Sequence, residues 1–237
     1  KIEFSENSKL SRIRECSFCD IPIESICFPA SVTQIDTNAF YSCKNTKRIE
    51  FAAGSKLQVI DKDAFVESSL ESISIPASLI ELKEGWCHCV PNLTEIKIDT
   101  NNQHYKYYDN KFIIGKSTSK KEGEKEREEE GDDDEYDLLI FARRDIENAT
   151  IPNNIKRICG YSFNECKQLR NLEIPEDTKL EYIDQFSFFN SSIEKVTIPS
   201  TAREIGVCSF SNCEKLKKVE IQPNSNLQKI DIYAFSR

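Results

Sequence analysis

Residues 84–93 read Glu-Gly-Trp-Cys-His-Cys-Val-Pro-Asn-Leu, so one of the chain's two histidines sits between two cysteines beside the only tryptophan. Cys87, His88 and Cys89 are the residue types that bind zinc or pair a thiolate nucleophile with a base. A zinc centre needs four ligands, and no neighbouring stretch offers a matching His or Cys cluster. A second candidate, Cys16-Ser-Phe-Cys19, has CxxC spacing, yet no second CxxC follows it. A Ser-His-Asp or Cys-His arrangement would have to use His88 or His104, and neither stands in a recognisable motif context. The seven glycines form neither GxGxxG nor GxxxxGK, and no carboxylate is marked as a general acid. The sequence therefore points away from an enzyme and implies no cofactor and no metal.

Composition narrows the partners. A net charge of −8 argues against a nucleic-acid backbone, which requires a basic stripe. Hydrophobic residues make up 38% and charged residues 30%, and no apolar run approaches the roughly 18 residues that span a bilayer. The chain opens on Lys-Ile-Glu-Phe without a signal-peptide pattern and stops inside a repeat unit, so it is expected to be a fragment of a longer protein.

The elements that would position Cys87–Cys89 come from an internal repeat. Residues 26–48 align with 196–218, matching Ile26 with Val196, Pro29 with Pro199, Ile35 with Ile205, Phe40 with Phe210 and Cys43 with Cys213. Units of 23 residues alternate with units of 24, such as 49–72 and 172–195. Each unit begins with an apolar residue followed two positions later by another, as in Ile26/Phe28 and Val196/Ile198, which is the alternation of a strand with one buried face. Proline then ends the strand at 29, 76, 152, 175 and 199. A second apolar pair follows, and then a small residue with Phe, at Phe18, Phe40, Phe65, Phe163, Phe188, Phe210 and Phe235. A unit this short cannot close its own core and must stack on its neighbours, with the phenylalanines as a spine along the axis. By count, Cys87 occupies the Phe column and Val90 the Cys column, so Trp86 is expected to turn its indole into the space of the missing ring. The Cys-His-Cys stretch thus reads as a degenerate repeat.

The joint pattern of Ile-Pro, Ala-Phe, Cys and Leu columns resembles the BspA-type leucine-rich-repeat family of bacterial and protozoan surface proteins. The resemblance covers everything except the middle of the chain. It implies a curved stack with a parallel sheet on one face, a cell-surface or secreted location, and adhesion to a host, matrix or cell-surface protein. The fold class expected is an α/β-type repeat solenoid dominated by short parallel β-strands: N-terminal repeats over 1–98, a β-hairpin insert over 99–148 and C-terminal repeats over 149–237. In the insert, Tyr-Tyr-Asp-Asn-Lys-Phe-Ile-Ile-Gly and the apolar stretch 136–144 are expected to pair as a hairpin projecting from the stack. Between them, residues 116–137 carry 11 acidic and 5 basic side chains, a composition expected to stay disordered.

Central outward positions of the strands are the candidate contact surface: Glu3, Glu50, Ser74, Lys97, Glu173, Thr197 and Glu220. Tyr105, Tyr107 and Tyr108 in the insert add aromatic surface of the kind that anchors protein interfaces. Cys43, Cys166 and Cys213 share a column two strand spacings apart, about 10 Å and too far for disulfides. Ten mostly unpaired cysteines favour a reducing compartment, so an intracellular scaffold or a self-associating protein stands as the alternative to a surface adhesin. The sequons at Asn92, Asn148 and Asn190 occur at about the chance rate.

Overall fold

The computed structural model describes residues 2–5, 7–117 and 136–236. The first half carries β1 (Arg12–Ile13), β2 (Ser25–Phe28), β3 (Gln34–Ile35), β4 (Arg48–Phe51), β5 (Val59–Ile60), β6 (Ser72–Ile75), β7 (Glu81–Leu82) and β8 (Glu95–Ile98). The middle holds β9 (Tyr105–Tyr108), β10 (Phe112–Gly115) and β11 (Leu138–Ala142). The second half carries β12 (Asn148–Thr150), β13 (Arg157–Ile158), β14 (Asn171–Glu173), β15 (Tyr182–Ile183), β16 (Lys195–Ile198), β17 (Glu204–Ile205), β18 (Lys218–Ile221) and β19 (Lys229–Ile230). Together they wind a β-solenoid of about nine turns. No helix occurs among the described residues, so the return arms of the expected α/β-type unit are turns and two-residue strands.

Each unit contributes a longer strand to one side and a two-residue strand to the other. On the longer-strand side, β2-β4-β6-β8 and β12-β14-β16-β18 form two four-stranded parallel sheets. Ile26 pairs with Ile49, Ile49 with Ile73 and Ile73 with Ile96, steps of 23, 24 and 23 residues. The proline after the strand ends the ladder and begins a turn: the carbonyls of Pro29, Pro76, Pro152 and Pro199 each accept from the N–H three residues on. The small-Phe step that follows sits in a tight reversal, with left-handed residues two before and two after the ring. Asn38 and Ser42 flank Phe40, Asp63 and Glu67 flank Phe65, and Tyr161 and Glu165 flank Phe163, all at φ between 56° and 62°.

That reversal aims the rings inward as the column predicts. Phe18, Phe40 and Phe65 follow one another at centroid spacings of 5.0 and 5.3 Å, and Phe163, Phe188, Phe210 and Phe235 at 4.6, 4.9 and 5.1 Å. Offset or parallel stacking at this spacing adds to the burial of each ring. The thiols of the Cys column fill the inside of the turn: Cys43 donates to the Phe18 carbonyl at 2.8 Å and Cys213 to the Phe188 carbonyl at 3.1 Å.

The two arms of the insert pair antiparallel as expected, but they do not project from the stack. Residues 105–115 also form a tight hairpin of their own, turning at Asp109 and Asn110, both left-handed at φ 50°. Its second strand, β10, pairs antiparallel with β11, and β11 pairs parallel with β13. The three strands therefore extend the short-strand side of the second half into one seven-stranded sheet, β19-β17-β15-β13-β11-β10-β9, and do not project from the stack. Burial is the physical reason: β10 and β11 place Ile113 and Phe141 in the core of the first half and Phe112, Ile114 and Leu139 in the core of the second. Residues 118–135 of the acidic tract lie outside the described residues. Its flanks are ordered, since Ser117 donates through N–H and Oγ to the two carboxylate oxygens of Asp137, at 2.9 and 3.0 Å, and Tyr136 and Asp137 are buried.

Candidate functional site

Cys87, His88 and Cys89 lie at the seam between the two halves. Trp86, 2% exposed, stands in the small-residue column, and its indole fills the vacant ring position, 6.0 Å from Phe65 and 5.8 Å from Phe141. Phe141 and Phe112 are insert residues, and Phe112 lies 5.9 Å from Phe163, so the insert lends one ring to the end of each half's spine. Cys87 is buried beneath this run, and burial pushes its thiol up to about 12 despite the nearby Arg144 guanidinium. A nucleophilic thiolate is disfavoured there. His88 Nδ1 lies 3.0 Å from Asp63 Oδ1 and 3.2 Å from the Gly85 carbonyl, and its ring packs 4.8 Å from Tyr161. The Cys89 N–H donates to Asn164 Oδ1 at 2.8 Å, and Gln185 Nε2 donates to Glu84 Oε1 at 3.1 Å. The stretch fastens two repeats together. No group of three or more His, Cys, Asp or Glu side chains is arranged to hold a metal among the described residues.

Arg144 is the seam residue that sequence reasoning missed. It is 2% exposed, stacks at 4.3 Å on Phe141 and donates to the Ser162 carbonyl at 2.8 Å. An arginine at the end of an apolar strand reads as a surface residue, and only the arrival of the next turn encloses it.

The outward strand positions fall on two faces. Glu3, Glu50, Ser74 and Lys97 lie on the N-terminal face, where Cys27 pairs with Glu50 and Ser74 with Lys97. Glu173, Thr197 and Glu220 lie on the C-terminal face with Thr150, where Thr150 pairs with Glu173 and Thr197 with Glu220. The strands β8 and β12 are not hydrogen-bonded to each other, so the expected single face is broken at the seam.

The two faces differ in charge. On the C-terminal face Glu220 sits between the ammonium groups of Lys195 and Lys218, which hold its carboxyl well below the usual range, and Lys217 pairs with Glu194 at 2.8 Å. Thr150 and Thr197 donate to Glu173 and Glu220. The N-terminal face borders an open groove of about 1120 Å³, which five carboxylates line (Glu3, Glu24, Glu50, Glu71 and Glu95) against two cations (Lys47 and Arg48). Lys47 bonds Glu71 at 3.1 Å and Lys97 bonds Glu95 at 2.9 Å, while Glu50 makes no ion pair among the described residues. Apolar floor is supplied by the partly exposed Phe4, Ala30 and Ala52 and the exposed Ala53, with Ile26, Phe28 and Pro29 buried beneath them.

The insert tyrosines separate by environment. Tyr105 is buried: its hydroxyl accepts from the Leu82 N–H at 2.7 Å and donates to the Ile80 carbonyl at 3.1 Å, and burial pushes it up to about 12. It cannot meet a partner, because it seals the outer edge of β7. Tyr107 is half-buried and donates to the Asn110 carbonyl at 2.9 Å, and Tyr108 is exposed.

The fold has solved counterparts. The pneumococcal vaccine antigen PcpA superposes with a TM-score of 0.74 at 22% identity, over 98% of this chain and 60% of that one. A leucine-rich repeat protein from Eubacterium ventriosum gives 0.58 at 20% over 89% and 66%, and a leucine rich cell surface protein from Faecalibacterium prausnitzii gives 0.56 at 18% over 84% and 60%. At these identities the likeness is one of fold. No curated protein matches the sequence. The model of the BspA type leucine rich repeat region matches in six copies over residues 1–112 and 139–237. With most of its length covered by that model, its turns stacked on aromatic columns and its strands in parallel register, the chain belongs to the BspA-type leucine-rich-repeat family.

Proposed function

We propose that the chain is a non-catalytic, cell-surface protein-binding module, and that the groove over β2, β4, β6 and β8 takes the partner. The observation that carries this reading is the groove itself: an open channel with an apolar floor and five carboxylates against two cations. Electrostatic complementarity then favours a partner that presents lysine or arginine over an extended segment, with charge setting the rate and register of docking and the floor supplying affinity. A surface location agrees with the description of the Faecalibacterium relative as a cell surface protein and of PcpA as a vaccine antigen. On this reading the module adheres to host or matrix proteins.

The test is binding to a panel of immobilised extracellular-matrix proteins, for the parent chain and for a Glu50→Lys/Glu71→Lys variant. Lys62→Glu, on the opposite turn edge, serves as a control. Charge reversal of two groove residues lowers affinity about tenfold or more and flattens its salt dependence, and the control leaves it unchanged. Absence of binding across the panel, or equal binding by parent and groove variant, overturns the reading.

A further inference from the structure

We propose that Cys16 and Cys19 form a redox-responsive thiol pair, which a low-molecular-weight disulfide converts into an intrachain disulfide across the turn at residues 16–19. The inference rests on the N-terminal turn alone and is independent of the groove.

The backbone there is already folded for closure. The Cys19 N–H donates to the Cys16 carbonyl at 3.3 Å, and Cys16 holds a left-handed φ of 55°. A reversal closed by this bond keeps its end Cα atoms within about 7 Å, the span a disulfide requires. Residues on either side of Cys19 are held fast: the Phe18 ring stacks 5.0 Å from Phe40, the Phe18 N–H donates to the Ala39 carbonyl at 2.9 Å, and the Asp20 N–H donates to the Tyr41 carbonyl at 3.1 Å. The backbone that carries the two thiols therefore has no loop left to order, which raises their effective concentration. The Cys19 thiol donates to the Asn38 carbonyl at 3.4 Å, a bond it gives up on oxidation, while the thiols of the Cys column are buried in theirs, Cys43 with Phe18 and Cys213 with Phe188.

Exposure sets the order of events. Cys16 is exposed and Cys19 is half-buried. The Cys16 thiolate attacks one sulfur of oxidised glutathione, the glutathione S–S bond breaks, and one glutathione thiolate leaves. Cys19 then gives its proton to solvent and attacks Cys16 Sγ, expelling the second glutathione thiolate. Two protein thiols are oxidised and one disulfide is reduced to two thiols. Burial, with the neighbouring Cys16 thiol adding to it, holds Cys19 up to about 12. Cys19 accordingly stays protonated while Cys16 is a free thiol.

The experiment equilibrates the full chain with mixtures of reduced and oxidised glutathione, natively and in urea, then alkylates it and cleaves it with chymotrypsin. Cleavage after Phe18 separates the two cysteines unless a disulfide holds the fragments together, and mass spectrometry reads the link. The expected result is a Cys16–Cys19 link as the first product, with an equilibrium constant at least about tenfold larger in the native chain than in urea. Cys19→Ser, which leaves the strands and spine intact, stops at a glutathione adduct on Cys16. A native constant equal to or below that in urea, a first link from Cys19 to Cys43, or full alkylation of both residues at oxidant levels that close the pair in urea overturns the proposal.

Discussion

The hydroxyl of Tyr105 satisfies Leu82 N–H and the Ile80 carbonyl at the edge where β7 has no further strand to pair with. Tyr105→Phe keeps the ring and orphans a buried donor, at a cost of about 1–3 kcal/mol. Tyr108→Phe, exposed, changes stability by less than about 0.5 kcal/mol. Urea unfolding distinguishes them, and equal midpoints for the two variants contradict this role. Asp184 supplies a pH signature. Burial raises its carboxyl from 3.8 to about 6, with Arg157 pulling the other way and Glu84 and Glu204 adding repulsion. Between those values the folded chain holds a proton that the unfolded chain has released, so this group's contribution grows as pH falls and is lost as pH rises through about 6. Relative to Asp184→Asn, the parent gains on the order of 1 kcal/mol on going from about pH 7.5 to about pH 5, measured as thermal stability. A difference independent of pH contradicts it. Neither residue's role is legible in sequence. Tyr105, Tyr107 and Tyr108 form one aromatic run, and only the position of β7 decides which hydroxyl is enclosed; Asp184 is one carboxylate among many until the turn of Glu84 arrives beside it.

At the scale of elements, the repeat columns transfer almost intact. A period-two pair, a proline and a Phe fix the strand, the turn and the spine, because each is a local consequence of residue type. The flanking left-handed positions stay hidden, since they are held by residues as different as Asn38, Asp63, Cys16, Tyr161 and Phe186. The placement of Trp86 is legible by counting, while the destination of the insert is not: hairpin-forming residues are evident, but which edge they join depends on the unpaired strand left by the interrupted stack. Trp86 then becomes the element-scale test. Trp86→Ala opens a cavity between Phe65 and Phe141 and costs about 3–5 kcal/mol. Trp86→Phe, which keeps a ring there, costs less than half of that. In chemical unfolding, identical losses for the two variants contradict a spine that reaches the seam.

Across the whole molecule, the borrowed rings and the Tyr105 bond join the two sets of repeats, and the faces they present differ: neutralised by its own lysines at the C-terminal end, and acidic around an apolar-floored groove at the N-terminal end. Residues 116–137, with 11 acidic and 5 basic side chains, hold −6 of the net charge of −8, so the acidic groove is a local imbalance within repeats that are nearly neutral as a whole. The sequence places Glu3, Glu50, Ser74 and Lys97 on the outward side of the strands with Glu71 and Glu95 at the flanking positions, and the groove adds Glu24, which the repeat columns do not mark. Hydroxyl-radical footprinting of the chain bound to a matrix protein from the panel tests this assignment most directly. The account predicts protection concentrated at Phe4, Cys27, Glu50 and Glu71, with Tyr41 and Lys62 on the turn edge and Ile221 on the C-terminal face reacting as in the free chain. Protection of the turn edge or the C-terminal face, with the groove residues as reactive as before, would contradict it.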